Sequence, residues 1–94
     1  MLKDAFALHA QGKLAEAERA YGDLLDREPG NFQALHLLGV LALQRGRTAQ
    51  AVEMISRSLA LEPRQPLAHR DLGNGLQQSG QFEAALAAYD RALA

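Results

Sequence analysis

A 34-residue period runs through this chain, and it restricts the fold more than any other feature. Pro29 and Pro63 are 34 residues apart, and Gly12, Gly46 and Gly80 keep the same interval. So do Ala17, Ala51 and Ala85, then Tyr21, Ile55 and Tyr89, then Leu25, Leu59 and Leu93. Gly39 and Gly73 match each other, with Ala5 in that place one period earlier. So many independent positions on one period mean that a single supersecondary unit is built several times. Such units bury their apolar faces by stacking on one another.

The unit is clearest between Leu35 and Pro63. Leu35, Leu38, Gly39, Leu41 and Ala42 have the spacing of one helix face, and Arg45-Gly46-Arg47 interrupts it. Ala51, Val52, Ile55 and Leu59 then form a second apolar face. Gly12, Gly46 and Gly80 suit the left-handed cap that ends a helix, because glycine has no Cβ to clash there. Pro29 and Pro63 stop the second helices. Pro66 suits a first helical turn, and Asn31 an N-cap. The expected helices are 2–11, 14–27, 32–45, 48–61, 66–79 and 82–93, joined by connections too short for anything but antiparallel pairs. Mid-helix glycine is unfavourable by about 1 kcal/mol against alanine. Gly39 and Gly73 therefore imply that a neighbouring helix backbone passes close to them.

Composition agrees and excludes several functions. Apolar residues make up 48% of the chain and charged residues 22%, the balance of an ordinary globular protein. Ninety-four residues allow one domain. The formal net charge of −1 gives no general attraction to nucleic acid or to an anionic membrane. Without cysteine, disulfides, thiol catalysis and thiolate metal sites are ruled out. No apolar run approaches the length of a membrane span, and Met1-Leu2-Lys3-Asp4-Ala5 does not open a signal peptide. The expected location is cytoplasmic.

No catalytic constellation is visible. His9, His36 and His69 lie at similar places in successive first helices, but none has a metal-ligand neighbour at i+4 or an adjacent carboxylate. They read as partly exposed surface histidines. Gly73-Asn74-Gly75 lacks the third glycine and the preceding strand of a dinucleotide site, and Gly12-Lys13 lacks the upstream glycine of a P-loop. Glu16, Glu18, Asp23, Asp26 and Glu28 read as a solvated outer face. The expectation is a non-enzyme with no cofactor and no metal.

These residues resemble the tetratricopeptide repeat. Leu72-Gly73-Asn74, Gly80-Gln81-Phe82-Glu83-Ala84-Ala85, Tyr89 and Ala92-Leu93 carry the likeness most fully. Leu38-Gly39, Gly46, Ala51 and Leu59 to Pro63 carry it in the middle, and Gly12 to Ala17, Tyr21 and Pro29 at the start. Leu35 and His69 replace an aromatic, Thr48 a large apolar residue, and Leu24 and Ser58 a small alanine. The resemblance implies an all-α, right-handed solenoid of about three antiparallel helix pairs. It forms a single domain over 1–94 with repeats near 1–31, 32–65 and 66–94, similar to the N-terminal repeat region of a larger bacterial protein.

It also implies a concave groove, lined by the first helix of each repeat, that binds a peptide or protein segment. The residues carried over are His36, Val40, Leu43, Gln44, Arg70, Asn74, Gln77 and Gln78, flanked by Phe6, His9, Ala10, Gln33 and Leu67. Amide side chains bond an extended backbone, and Arg70 suits a carboxylate, so a mildly acidic partner is favoured. Leu86, Tyr89 and Leu93 have no polar helix over them, so the natural chain is expected to continue past residue 94 or to pair with another copy. A homo-oligomer through that C-terminal helix, or a spacer for an attached catalytic domain, is the alternative.

Overall fold

The computed structural model describes residues 1–94 and contains six helices and no strand. They are α1 (Leu2–Ala10), α2 (Leu14–Arg27), α3 (Phe32–Gln44), α4 (Thr48–Leu61), α5 (Pro66–Gln78) and α6 (Phe82–Leu93). The first helix of each pair ends one residue before the expected position, because Gln11, Arg45 and Ser79 serve as C-caps. Gly12, Gly46 and Gly80 follow with φ of 78°, 75° and 78°. At each turn the next amide bonds back into the helix: Lys13 to Leu8 at 3.0 Å, Arg47 to Ala42 at 2.9 Å and Gln81 to Leu76 at 2.9 Å. The same closed turn therefore reverses the chain three times, as the glycine spacing requires. Asn31 accepts from the Ala34 amide at 3.0 Å, and Pro66 occupies the first turn of α5.

The architecture is an all-α repeat solenoid of three antiparallel helix pairs. Within each pair the helices pack along their length, and α2 then packs on α3 and α4 on α5. Across the repeats, α1 meets α3 and α3 meets α5, whereas no Cα of α2 comes within 8 Å of α4, nor one of α4 within 8 Å of α6. First helices thus crowd together while second helices splay apart. That asymmetry bends the stack and places α1, α3 and α5 on the concave side.

Tyr21, Leu35, Leu41, Ile55 and Ser58 are the largest fully buried side chains. The small residues at 5, 39 and 73 make room for the residue sixteen positions later. A Cβ on Gly39 would lie 2.5 Å from Ile55 Cγ1, and one on Gly73 2.7 Å from the Tyr89 ring. The expected close backbone is therefore corrected: a bulky side chain of the paired helix fills the gap, and the nearest backbone atom at Gly39 is the Ala51 carbonyl oxygen at 3.3 Å. Ser58 is accommodated in the core because its hydroxyl donates to the Phe32 carbonyl at 2.6 Å. The Gln65 amide donates to the Ser58 carbonyl at 3.1 Å and the Glu62 carbonyl at 2.7 Å, which locks the turn between α4 and α5.

Leu86 and Leu93 of α6 are exposed, as is Phe82 at its start. Tyr89 was expected among them, but it is half-buried over Gly73 with its hydroxyl turned to the concave side. No helix is long and apolar enough to cross a membrane.

Candidate protein-binding groove

A cleft of about 750 Å³ opens on the concave side between α3, α5 and the start of α6. Val40, Leu43, Gln44, Asn74, Gln77 and Gln78 line it, together with Asp71 and Phe82, which sequence reasoning missed. Helical spacing explains the grouping, since 40, 43 and 44 share one face of α3 and 71, 74, 77 and 78 one face of α5.

His36 and Arg70 do not line the cleft; both are tied to Asp71. His36 Nε2 lies 2.8 Å from one Asp71 oxygen, and the Arg70 guanidinium donates to the other at 3.3 Å. Along the chain no histidine has an adjacent carboxylate. The structure corrects this, because the partner comes from the next repeat. Burial alone would raise the Asp71 carboxyl pKa, but the His36 hydrogen bond and the charge of Arg70 outweigh it and hold the group below its ordinary value. Both imidazole and carboxylate are nearly enclosed, so this bond pins α3 to α5 from the concave side.

The other histidines are also engaged. The Tyr21 hydroxyl and His9 Nδ1 are 3.1 Å apart, and His9 Nε2 is 2.6 Å from Gln44 Oε1. With Tyr21 O–H donating to Nδ1, Nε2 carries the proton and donates to Gln44, a tautomer assigned by the network itself. Burial pushes the Tyr21 phenol up to about 12, so it stays a donor throughout the ordinary pH range. His69 Nε2 lies 2.8 Å from the Pro63 carbonyl. No three His, Asp or Glu side chains converge as metal ligands.

Three amides of the cleft have their carbonyl oxygen held by a side chain of another helix, which leaves the NH2 available. Gln44 Oε1 is held by His9, Asn74 Oδ1 accepts from the Tyr89 hydroxyl at 2.6 Å and Gln78 Oε1 accepts from Thr48 at 3.3 Å. Gln77 Oε1 lies 3.0 Å from the same Tyr89 hydroxyl, whose single proton goes to the shorter Asn74 contact. The supporting groups sit on α1, α4 and α6, one or two helices away in the chain. No local motif announces them, although Tyr89 carries the 34-residue period.

The charges are also partly internal. Glu18 pairs with Arg47 at 2.8 Å and Arg45 at 3.7 Å, so part of the basic excess of residues 32–65 is cancelled by α2. Glu16, Asp23, Asp26 and Glu28 are exposed, as expected for an outer face. Phe6 and Leu67, expected to flank the groove, are exposed at 53% and 59%.

Stacked helix pairs with a polar-lined groove define a class, the helical-repeat scaffold of protein–protein interaction. Within it the chain belongs to the tetratricopeptide-repeat family, whose profile matches residues 8–72, with a second tetratricopeptide-repeat profile on 66–91. Among solved structures, a mutant of the Thermobaculum terrenum O-GlcNAc transferase is similar with a TM-score of 0.94 and 36% identity, over 98% of this chain and 18% of that one. The MamA protein superposes with a TM-score of 0.86 and 26% identity, over 95% of this chain and 49% of that one. The CTR9 homolog of Arabidopsis thaliana is 35% identical over 88 residues, 92% of this chain and 8% of that protein. The photosystem I assembly protein Ycf3 of Rippkaea orientalis is 28% identical over 107 residues, 96% of this chain and 62% of that protein. The chain therefore spans less than two thirds of each of these relatives.

Proposed function

We propose that the concave groove between α3 and α5 holds an extended segment of a protein partner, bound through its backbone carbonyls. The observation that carries this reading is that the oxygens of Gln44, Asn74 and Gln78 are held by side chains of neighbouring helices, with Gln77 beside them. A row of side chains fixed as donors matches a strand of peptide acceptors, and it meets the segment without first reordering its own amides. Val40, Leu43 and Phe82 supply apolar contact between the donors. Arg70 lies outside the cleft, is more than half exposed and retains donors beyond its bond to Asp71, so it favours an acidic residue where the segment leaves the cleft and the Asp71 carboxylate behind. Its bond to Asp71 weighs against a clamp for a terminal carboxylate.

In this reading the chain acts without chemistry of its own, as one unit of three repeats near 1–31, 32–65 and 66–94, in the cytoplasm. A second reading is favoured by Leu86 and Leu93, both exposed on α6: association with a second copy, or with a further part of a longer chain, through that helix.

The test is site-specific photo-crosslinking in cells, with a benzoylphenylalanine at Val40 in the groove or at Arg57 on the outer helix α4. Capture of discrete partners from Val40 alone, reduced when Gln44, Asn74 and Gln77 are all changed to leucine, supports the groove. Equal capture from Arg57, or capture indifferent to the leucines, contradicts it.

A further inference from the structure

On the opposite side, the splayed second helices leave a gap between α4 and α6 with α5 as its floor. It is a cleft of about 830 Å³. Ligand pockets commonly run from about 300 to 1,000 Å³. It shares no residue with the concave groove.

The period of the chain shows why the cleft is open. Pro66 and His69 on its floor correspond to Phe32 and Leu35 one repeat earlier. There the phenyl ring is half-buried and Leu35 is only 2% exposed. Replacing a phenyl ring by the compact proline ring removes bulk, and replacing leucine by imidazole makes the floor polar. His69 is also left incomplete. With Nε2–H donating to the Pro63 carbonyl, Nδ1 is a buried acceptor with no partner, the single such side-chain atom in the protein. A buried polar atom in that state is unfavourable until the ring turns or gains a partner.

The charged side chains of the walls have one sign. Leu59, Pro63 and Leu72 give an apolar lining, Arg64 and Arg91 add two guanidiniums, and no acidic side chain lines the cleft. Neither guanidinium has a carboxylate within salt-bridge distance, unlike those of Arg45, Arg47 and Arg70. Glu62, next to the turn, uses one oxygen on the Arg64 backbone amide. Ala94 completes the rim.

We propose that this cleft binds a small monocarboxylic acid with an apolar body. The acyl or aromatic part lies against Leu59, Pro63 and Leu72, and the carboxylate lies between Arg64 and Arg91 within reach of a turned His69 ring. The site is independent of the groove reading, since it has its own residues and its own face.

The probe is octanoate, titrated into ¹⁵N-labelled protein and followed by amide chemical shifts, with 1-octanol and octylamine as controls. Saturable shifts centred on residues 59–72 and 88–94 are expected, with octanoate at least roughly ten-fold tighter than the alcohol. Changing Arg64 and Arg91 to glutamine is expected to erase that preference while leaving the alcohol unchanged. The double variant Pro66→Phe with His69→Leu restores the side chains of the earlier repeat and is expected to abolish binding in a chain that remains helical. Equal affinity for all three probes, shifts centred on Phe82 and Leu86, or binding that survives the filled floor would each overturn the proposal. If the double variant unfolds, the arginine pair decides alone: an unchanged octanoate preference there overturns the proposal, and its loss supports it.

Discussion

The same substitution, glycine to alanine, has opposite effects at two helical positions of this protein. At Gly22 in α2 an added Cβ meets nothing within 4 Å. The change then gains only helix propensity, about 1 kcal/mol, or roughly 4–8 °C in Tm for a domain of this size. At Gly39 in α3 the Cβ would lie 2.5 Å from Ile55 Cγ1 and 3.3 Å from the Ala51 carbonyl oxygen. Ile55 is fully buried, and its Cγ1 is a branch near the backbone that cannot swing clear. Overpacking of this kind costs about 1–3 kcal/mol, and this geometry belongs in the upper half of the range. Subtracting the propensity gain leaves a net loss of about 1–2 kcal/mol, or roughly 4–16 °C. Thermal and urea unfolding, followed by far-UV circular dichroism, read both variants. Ile55→Ala sharpens the test. Alone it loses about 2–5 kcal/mol, but it removes the obstacle, so Gly39→Ala on that background becomes stabilising by about 1 kcal/mol. If Gly39→Ala stabilises the native chain as Gly22→Ala does, the small-residue and bulky-residue pairing across each helix pair is wrong.

Three further perturbations address the polar scaffold. His36→Ala leaves the enclosed Asp71 carboxylate without its neighbour in α3, and a loss of about 1–3 kcal/mol is expected near neutral pH by urea unfolding. Because the Asp71 pKa is depressed in the folded state, its contribution is fully present above the ordinary carboxylate value. It fades as pH falls through the lower folded value, so the gap between the native chain and His36→Ala is expected to narrow below about pH 4. A gap that widens there would contradict the assignment. Asn31→Ala removes the N-cap of α3, with an expected loss of about 1 kcal/mol, while Asn31→Ser retains most of it in the same unfolding assay. Glu18→Gln frees the partly exposed Arg45 and Arg47; less than about 1 kcal/mol is expected, diminishing in high salt.

The fold was legible because its instructions are local and repeated. A glycine at each left-handed turn and a proline after α2 and after α4 give the helices without long-range information, whereas what Gly39 and Gly73 face was read as backbone and is a bulky side chain. Of the residues that line the cleft, Val40, Leu43, Gln44, Asn74, Gln77 and Gln78 were named beforehand, from the resemblance to the family. Asp71 was not, because its role comes from His36 in another helix, 35 residues earlier. For the same reason Arg70 looked free when it is bonded, and Tyr89 looked like part of a bare face when its hydroxyl holds the Asn74 amide of the groove. Periodicity shows which way a side chain points. It carries no information on which polar atom of a neighbouring repeat is waiting there.

In the proposed complex the partner lies on the concave face, against the amides of Gln44, Asn74, Gln77 and Gln78. The most direct measurement is hydrogen–deuterium exchange of the chain alone and saturated with a partner captured from Val40. Added protection confined to 36–44 and 70–78, and lost when Gln44, Asn74 and Gln77 are leucine, is the predicted result. Protection centred on the outer helices α4 and α6, with residues 36–44 and 70–78 unchanged, would contradict the account.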